Sequence, residues 1–128
     1  MNYVLNPSDI AWHRLEKPGF PGIGFQFSES VVDDDYTSVY SVQLSKIGPG
    51  GKSKLHRDPY NHAFYVTAGT GSVRIGKDSW DVEPGSVVKI PAGLPHGFSN
   101  TGDVDLEFVV IYDPPYVAGT DPVKELES

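Results

Sequence analysis

Short bursts of alternating apolar and polar residues, separated by glycine and proline, run through the middle of the chain. Residues 39–47 read VYSVQLSKI. Val39, Ser41, Gln43, Ser45 and Ile47 fall on one face of an extended segment and Tyr40, Val42, Leu44 and Lys46 on the other, because successive side chains of a strand point to opposite faces. The pattern predicts a strand and leaves open which face is inward. Ile23 to Phe27 alternates in the same way, and Ala63–Ala68, Ser72–Ile75, Ser79–Val82, Val87–Ile90 and Asp105–Tyr112 predict further strands. The breaks between them carry turn chemistry: Gly48-Pro49-Gly50-Gly51, Gly69-Thr70-Gly71, Gly76-Lys77-Asp78, Glu83-Pro84-Gly85-Ser86 and Asp113-Pro114-Pro115. Many short strands without a long helical pattern predict an all-β sandwich or barrel.

The flanks read differently. Residues 1–24 are interrupted by Pro7, Pro18, Gly19, Pro21, Gly22 and Gly24 and read as an irregular lead-in, with Ile10, Ala11 and Trp12 able to cover one end of a core. Residues 118–128 are polar and read as a loose tail. With 128 residues, no internal repeat and no linker, a single domain over 1–128 is expected.

Composition narrows the chemistry. The chain has no cysteine, which excludes thiolate ligands, a thiol nucleophile and disulfides and fits a reducing compartment, so a cytoplasmic location is expected. The first residues lack a basic region followed by an apolar core, and no apolar run approaches the roughly 20 residues needed to cross a bilayer. A net charge of −7 argues against nucleic acid, whose backbone asks for a basic face.

Candidate chemistry lies in two stretches. From Gly50 to Gly69 the chain reads GGKSKLHRDPYNHAFYVTAG, and from Gly85 to Asn100 GSVVKIPAGLPHGFSN. In the first, Asp58 shares the face of His56 in an extended segment, and His62 stands just before the next strand. The second contributes His96. If the two stretches pair across a barrel, three imidazoles and one carboxylate converge on a point, which is metal-ligand chemistry. Tyr60 and Tyr65 are candidate catalytic side chains beside them, Tyr60 as a proton donor. Tyr40, Tyr65, Trp80, Phe98 and Phe108 are candidates for an aromatic lining. Asn100 fits a turn or a catalytic role equally. His13 lies away from both stretches and reads as an exposed or hydrogen-bonded histidine. Asp33-Asp34-Asp35 reads as a solvated turn, since no EF-hand ligand spacing follows it.

The two stretches resemble the paired motifs of the cupin superfamily. Gly50, His56, Asp58, His62 and Gly69 occupy in order the positions of G-x5-H-x-H-x3,4-E-x6-G. Gly85, Pro91, Gly93, His96 and Asn100 match G-x5-P-x-G-x2-H-x3-N throughout. Asp58 stands where the second histidine is usual, and His62 where glutamate is. The resemblance implies a double-stranded β-helix, a jelly-roll barrel, and a divalent transition metal held by His56, Asp58, His62 and His96. Two sets are open: a three-histidine face of His56, His62 and His96, complete without Asp58 and preferred here, or a triad of His56, Asp58 and His96. Iron(II) is foremost, with zinc, manganese and nickel as alternatives.

The activity implied is that of a metal-dependent enzyme on a small oxygenated or aromatic compound, foremost a dioxygenase-type oxidoreductase. The alternatives are a non-redox isomerase, dehydratase, lyase or polyketide cyclase using the metal as Lewis acid, and a cupin that binds a sugar or other small molecule without turnover. The expected partners are a small-molecule substrate and a second copy of the chain in a homodimer.

Overall fold

The structure, a computed structural model, describes residues 1–14 and 22–117. Its elements are a short 3-10 turn at Pro7–Asp9 and nine strands: β1 Trp12–Arg14, β2 Gly22–Ser28, β3 Ser41–Ser53, β4 Asn61–Ala68, β5 Gly71–Ile75, β6 Asp78–Val82, β7 Val87–Ile90, β8 His96–Asn100 and β9 Leu106–Asp113. All strand pairs are antiparallel. The strands run β6-β5-β8-β3-β9-β4-β7, with β2 also on β3 and β1 on β2. This is the all-β jelly-roll architecture expected from the sequence. Within the stretch read as an irregular lead-in, Trp12–Arg14 is a strand paired with β2 and Gly22 already opens β2. Two or three paired residues are too few to leave a period in the sequence. The loose tail expected over 118–128 lies outside the described residues.

The long strand β3 joins the two halves of the fold. Its first half, Ser41 to Ile47, pairs with β9, whereas Lys52 pairs with Ser99 of β8. Gly48-Pro49-Gly50-Gly51 lies between these pairings. Gly51 packs so closely that a Cβ there would stand 2.8 Å from the Gly48 carbonyl oxygen, so glycine lets one strand serve both halves. Inside, Ile47, Val66, Val73, Ile90, Leu106 and Val110 are fully buried, and Phe64, Phe98 and Phe108 fill the centre with mutual ring contacts.

The inward face of β3 is the Ser41, Gln43, Ser45, Ile47 face. The polar residues can be buried because the fold gives them partners. Gln43 Nε2 donates to the Ser28 carbonyl at 3.0 Å, and Ser41 Oγ accepts the Tyr116 N–H at 2.8 Å. On the outer side Val42 bridges Val32, and Trp12 lies under the Lys46 ammonium at 4.0 Å, so the N-terminal segments partly cover the apolar alternates. His13 is exposed with Glu29 3.7 Å away, and Asp33, Asp34 and Asp35 form an exposed turn closed by backbone bonds to Asp33, both as expected.

The glycines bracketing the first motif differ in what they protect. Both have positive φ, but Gly50 faces open space, whereas a Cβ on Gly69 would press into the backbone of Asp105 and Leu106. Gly50→Ala is expected to cost about 1–2 kcal/mol, the left-handed penalty alone. Gly69→Ala adds overpacking and is expected to cost about 3 kcal/mol or more. Denaturant unfolding of the two variants measures the difference.

Candidate metal centre

Two backbone hydrogen bonds build the site. His56 N–H donates to the His96 carbonyl at 3.0 Å and His96 N–H to the His56 carbonyl at 2.9 Å. The residues are thus a reciprocally bonded antiparallel pair, whose side chains leave on one face. Their ring centroids are 4.6 Å apart. The Gly93 N–H donates to the Asp58 carbonyl at 2.9 Å, and Asn61 Oδ1 accepts the Ala92 N–H at 2.9 Å, which ties the first motif to the turn of the second. His62 enters from β4, opposite Tyr112 of β9 and Ile90 of β7, with its side chain buried.

The tautomers of two rings follow from their partners. His56 Nδ1 lies 2.9 Å from the Lys54 carbonyl, and His96 Nδ1 2.9 Å from the Leu94 carbonyl. A carbonyl only accepts, so each Nδ1 carries a proton, and in its neutral form each ring turns an Nε2 lone pair inward. Both Nε2 atoms face one oxygen: Asp58 Oδ2 stands 3.6 Å from His56 Nε2 and 3.5 Å from His96 Nε2. His62 Nδ1 is 3.8 Å from the same oxygen, and neither His62 nitrogen has a hydrogen-bond partner.

Lone pairs aimed at a carboxylate repel unless a proton or a cation lies among them. Donors held at about 2.1 Å by one ion stand about 3.0–3.4 Å apart at neighbouring positions, close to the spacings here. The donor set therefore fits a divalent transition metal. The compact group is His56, Asp58 and His96, whose ligand atoms all lie within 4.8 Å of one another. Asp58 Oδ2 sits between the rings of His56 and His96, with His62 Nδ1 to one side at 3.8 Å.

Electrostatics follow the same arrangement. Burial, aided by the charges of His96 and His56 against the pull of Asp58, drives His62 from an ordinary 6.5 down to about 4. Burial and then His96 also lower His56. Burial pushes the Asp58 carboxyl up, but when the rings take up a second proton a hydrogen bond from His96 and the positive charge of the three imidazoles outweigh it and hold the carboxyl below its usual range.

The other sequence candidates divide. Tyr60 is buried beside the site, its ring nearly parallel to that of His62 at 6.2 Å. Its hydroxyl accepts the Val117 N–H at 3.0 Å and so holds the segment after β9 against the barrel. Tyr65 is not brought to the site. It lies one residue from Phe64 on β4, so alternation turns it to the outer face, 49% exposed. Trp80, 52% exposed, is no lining residue either, and Tyr40 is only half-buried outside the core cluster. Phe98 and Phe108 lie inside, in the packed core. Asn100 is a turn residue: its Nδ2 donates to the Ile47 and Val104 carbonyls and its Oδ1 accepts the Gly102 N–H, each at 2.8 Å. Sequence reasoning missed Tyr112, buried against His62, whose phenol burial and then the Asp58 charge push upward. Its signal was the inward register of the last strand, which is readable only once β4 and β9 are paired.

The His62 shift sets a pH dependence. The unfolded chain binds the His62 proton below about 6.5 and the folded chain only near 4, so unfolding takes up a proton between them and stability falls on acidification. Chelator-treated protein is expected to lose up to about 3 kcal/mol between pH 6.5 and 4 from this group. In His62→Gln much of that slope should vanish in denaturant titrations at stepped pH.

Comparison with known proteins agrees with this fold. A family model described as a cupin domain matches residues 43–112. An uncharacterised protein of Methanocaldococcus jannaschii is 29% identical over 102 residues, covering 78% of this chain and 82% of that protein. Among solved structures, the polyketide cyclase RemF from Streptomyces resistomycificus superposes with a TM-score of 0.79 at 19% identity, over 100% of this chain and 87% of RemF. A predicted oxalate decarboxylase from Thermotoga maritima gives 0.74 at 22% identity, over 87% and 98%. The matched span runs from the inward face of β3 to Tyr112 and encloses both motifs, more than half of the chain; the chain belongs to the cupin family.

Proposed function

We propose that this cupin is a metal-dependent enzyme for a small oxygenated or aromatic compound, foremost a dioxygenase-type oxidoreductase. One observation carries the reading: two Nε2 lone pairs, each fixed by a backbone carbonyl on the far side of its ring, and one carboxylate oxygen are aimed at a common point. His56, Asp58 and His96 would hold the ion, with His62 beside them as a fourth donor. A two-histidine, one-carboxylate set with open positions suits iron(II), and such an ion supplies Lewis acidity and a place for substrate and oxygen together.

The chain's own groups have separable tasks. Asp58 offsets part of the ion's charge, and the carbonyls of Lys54 and Leu94 keep the two imidazoles from turning. Ser41, Gln43 and Ser45 on the inner wall, opposite Tyr112, Val110 and Phe108, give a mixed polar and aromatic interior suited to a small oxygenated molecule. Tyr60 and Tyr112 place phenols beside His62, where a hydroxyl can hold or deliver a proton to a substrate oxygen.

The non-redox reading has support from the likeness to the cyclase RemF, and the test separates the two. Protein purified without chelator is expected to carry about one transition-metal ion per chain, and His96→Ala to lose it together with turnover. Iron(II)-loaded protein should consume oxygen with a catechol, enediol or β-diketone from a substrate panel. Turnover with zinc and no oxygen uptake would replace the dioxygenase by a Lewis-acid enzyme. Saturable ligand binding without turnover would leave only a binding role.

We also infer a homodimer. Leu44, Val109, Tyr65 and Val87 lie side by side across β3, β9, β4 and β7 on the outer face. An outward apolar row of this kind suits a protein partner. Light scattering is expected to give twice the chain mass, and a monomer mass across a wide concentration range would refute the dimer.

A further inference from the structure

Two of the three imidazoles at the site are held by hydrogen bonds, and the third is not. His56 and His96 each give an Nδ1 proton to the carbonyl two residues back, at 2.9 Å. His62 is 6% exposed, and both of its nitrogens lack a partner. A buried polar atom left unpaired costs about 1–3 kcal/mol, so this ring is kept in place by something other than hydrogen bonding. Its neighbours are aromatic. Tyr112 makes a T-shaped contact with it at 4.7 Å with an interplanar angle of 86°, Phe64 another at 5.4 Å and 84°, and Tyr60 lies nearly parallel at 6.2 Å and 17°.

Tyr112 is the nearest of these rings, and its place is set by the sheet. The β4–β9 register puts His62 directly opposite Tyr112, both inward, and Tyr112 is pinned in turn by Tyr60 at 5.4 Å and Tyr116 at 5.4 Å. Cross-strand aromatic partners interact through ring geometry as well as burial. We propose that Tyr112 is the positioning residue for His62, and that its ring, in place of a backbone carbonyl, decides which imidazole nitrogen faces Asp58 and the ion. The inference rests on the metal reading above for its consequence, and on packing alone for its cause.

The ring and not the hydroxyl carries the effect, which makes it testable by three variants. In Tyr112→Phe the ring remains, so His62 should keep Nδ1 toward Asp58 in a crystal structure of the metal-free protein, and cobalt(II) affinity should match the parent. In Tyr112→Leu the flat ring is gone; His62 should turn, and cobalt(II) affinity measured by titration should fall about tenfold, the low end of what loss of a ligand-orienting group produces. Should Tyr112→Leu not fold, Tyr112→Met carries the same arm. His62 held in its parental orientation in the leucine or methionine variant overturns the proposal. So does a phenylalanine variant as weak as the leucine one, which would assign the effect to the hydroxyl. If the parent protein takes up no cobalt(II), the metal reading fails, and the orientation of His62 in the metal-free variants still decides the positioning role.

Discussion

The reciprocal pair of hydrogen bonds between His56 and His96 is the constraint on which the site depends. It joins the loop after β3 to the start of β8, two segments 40 residues apart in the chain, and it fixes two imidazoles on one face before any ion arrives. The remaining features extend this pair. Asp58 follows two residues after His56 and so shares its face, and Gly93 N–H holds the loop that carries Asp58. The carbonyls of Lys54 and Leu94 complete the same local device two residues before each histidine, so both rings are constrained from behind. Preorganisation of this kind reduces the entropy lost when an ion is bound.

The barrel around the pair has two ends of different character. Away from the ligands it is an apolar core of Val66, Leu106, Phe98 and Phe108, with the Asn100 side chain bonded to the turn before β9 and to the Ile47 carbonyl of β3. Toward the ligands it becomes aromatic and polar, with Tyr60, Tyr112 and Tyr116 packed around His62 and Ser41 bonded to the Tyr116 N–H. Two hydrogen bonds, to Ser41 and Tyr60, draw the segment after β9 back over this end. The inner face of β3 thus runs from Ser41 at the ligand end to Ser45 beside Phe108 in the apolar core.

Much of this was legible in the sequence, for physical reasons that can be named. Alternation and glycine-proline breaks reveal strands, because period and turn chemistry are local properties. Motif spacing gathered His56, Asp58, His62 and His96, because spacing encodes which residues share a face. What stayed hidden depends on pairing. The inward face of β3 could not be read from its pattern, since Ser41, Gln43 and Ser45 are buried only because Ser28 and Tyr116 meet two of them. Tyr65 looked central by its place in the motif, yet strand parity turns it outward. Tyr112 lies outside both motifs and reaches His62 only through the β4–β9 register. The place of Asp58 was hidden for the same reason: it and His62 both occupy motif positions, and only the folded loop shows which lies between the rings.

X-ray absorption at the metal edge of the loaded protein tests the central claim most directly. The account predicts nitrogen and oxygen donors at about 2.0–2.2 Å with the outer-shell scattering of at least two imidazoles, and loss of that imidazole signal in a His56→Ala, His96→Ala double variant. A bound ion showing no imidazole scattering, or one retained undiminished by the double variant, would contradict it.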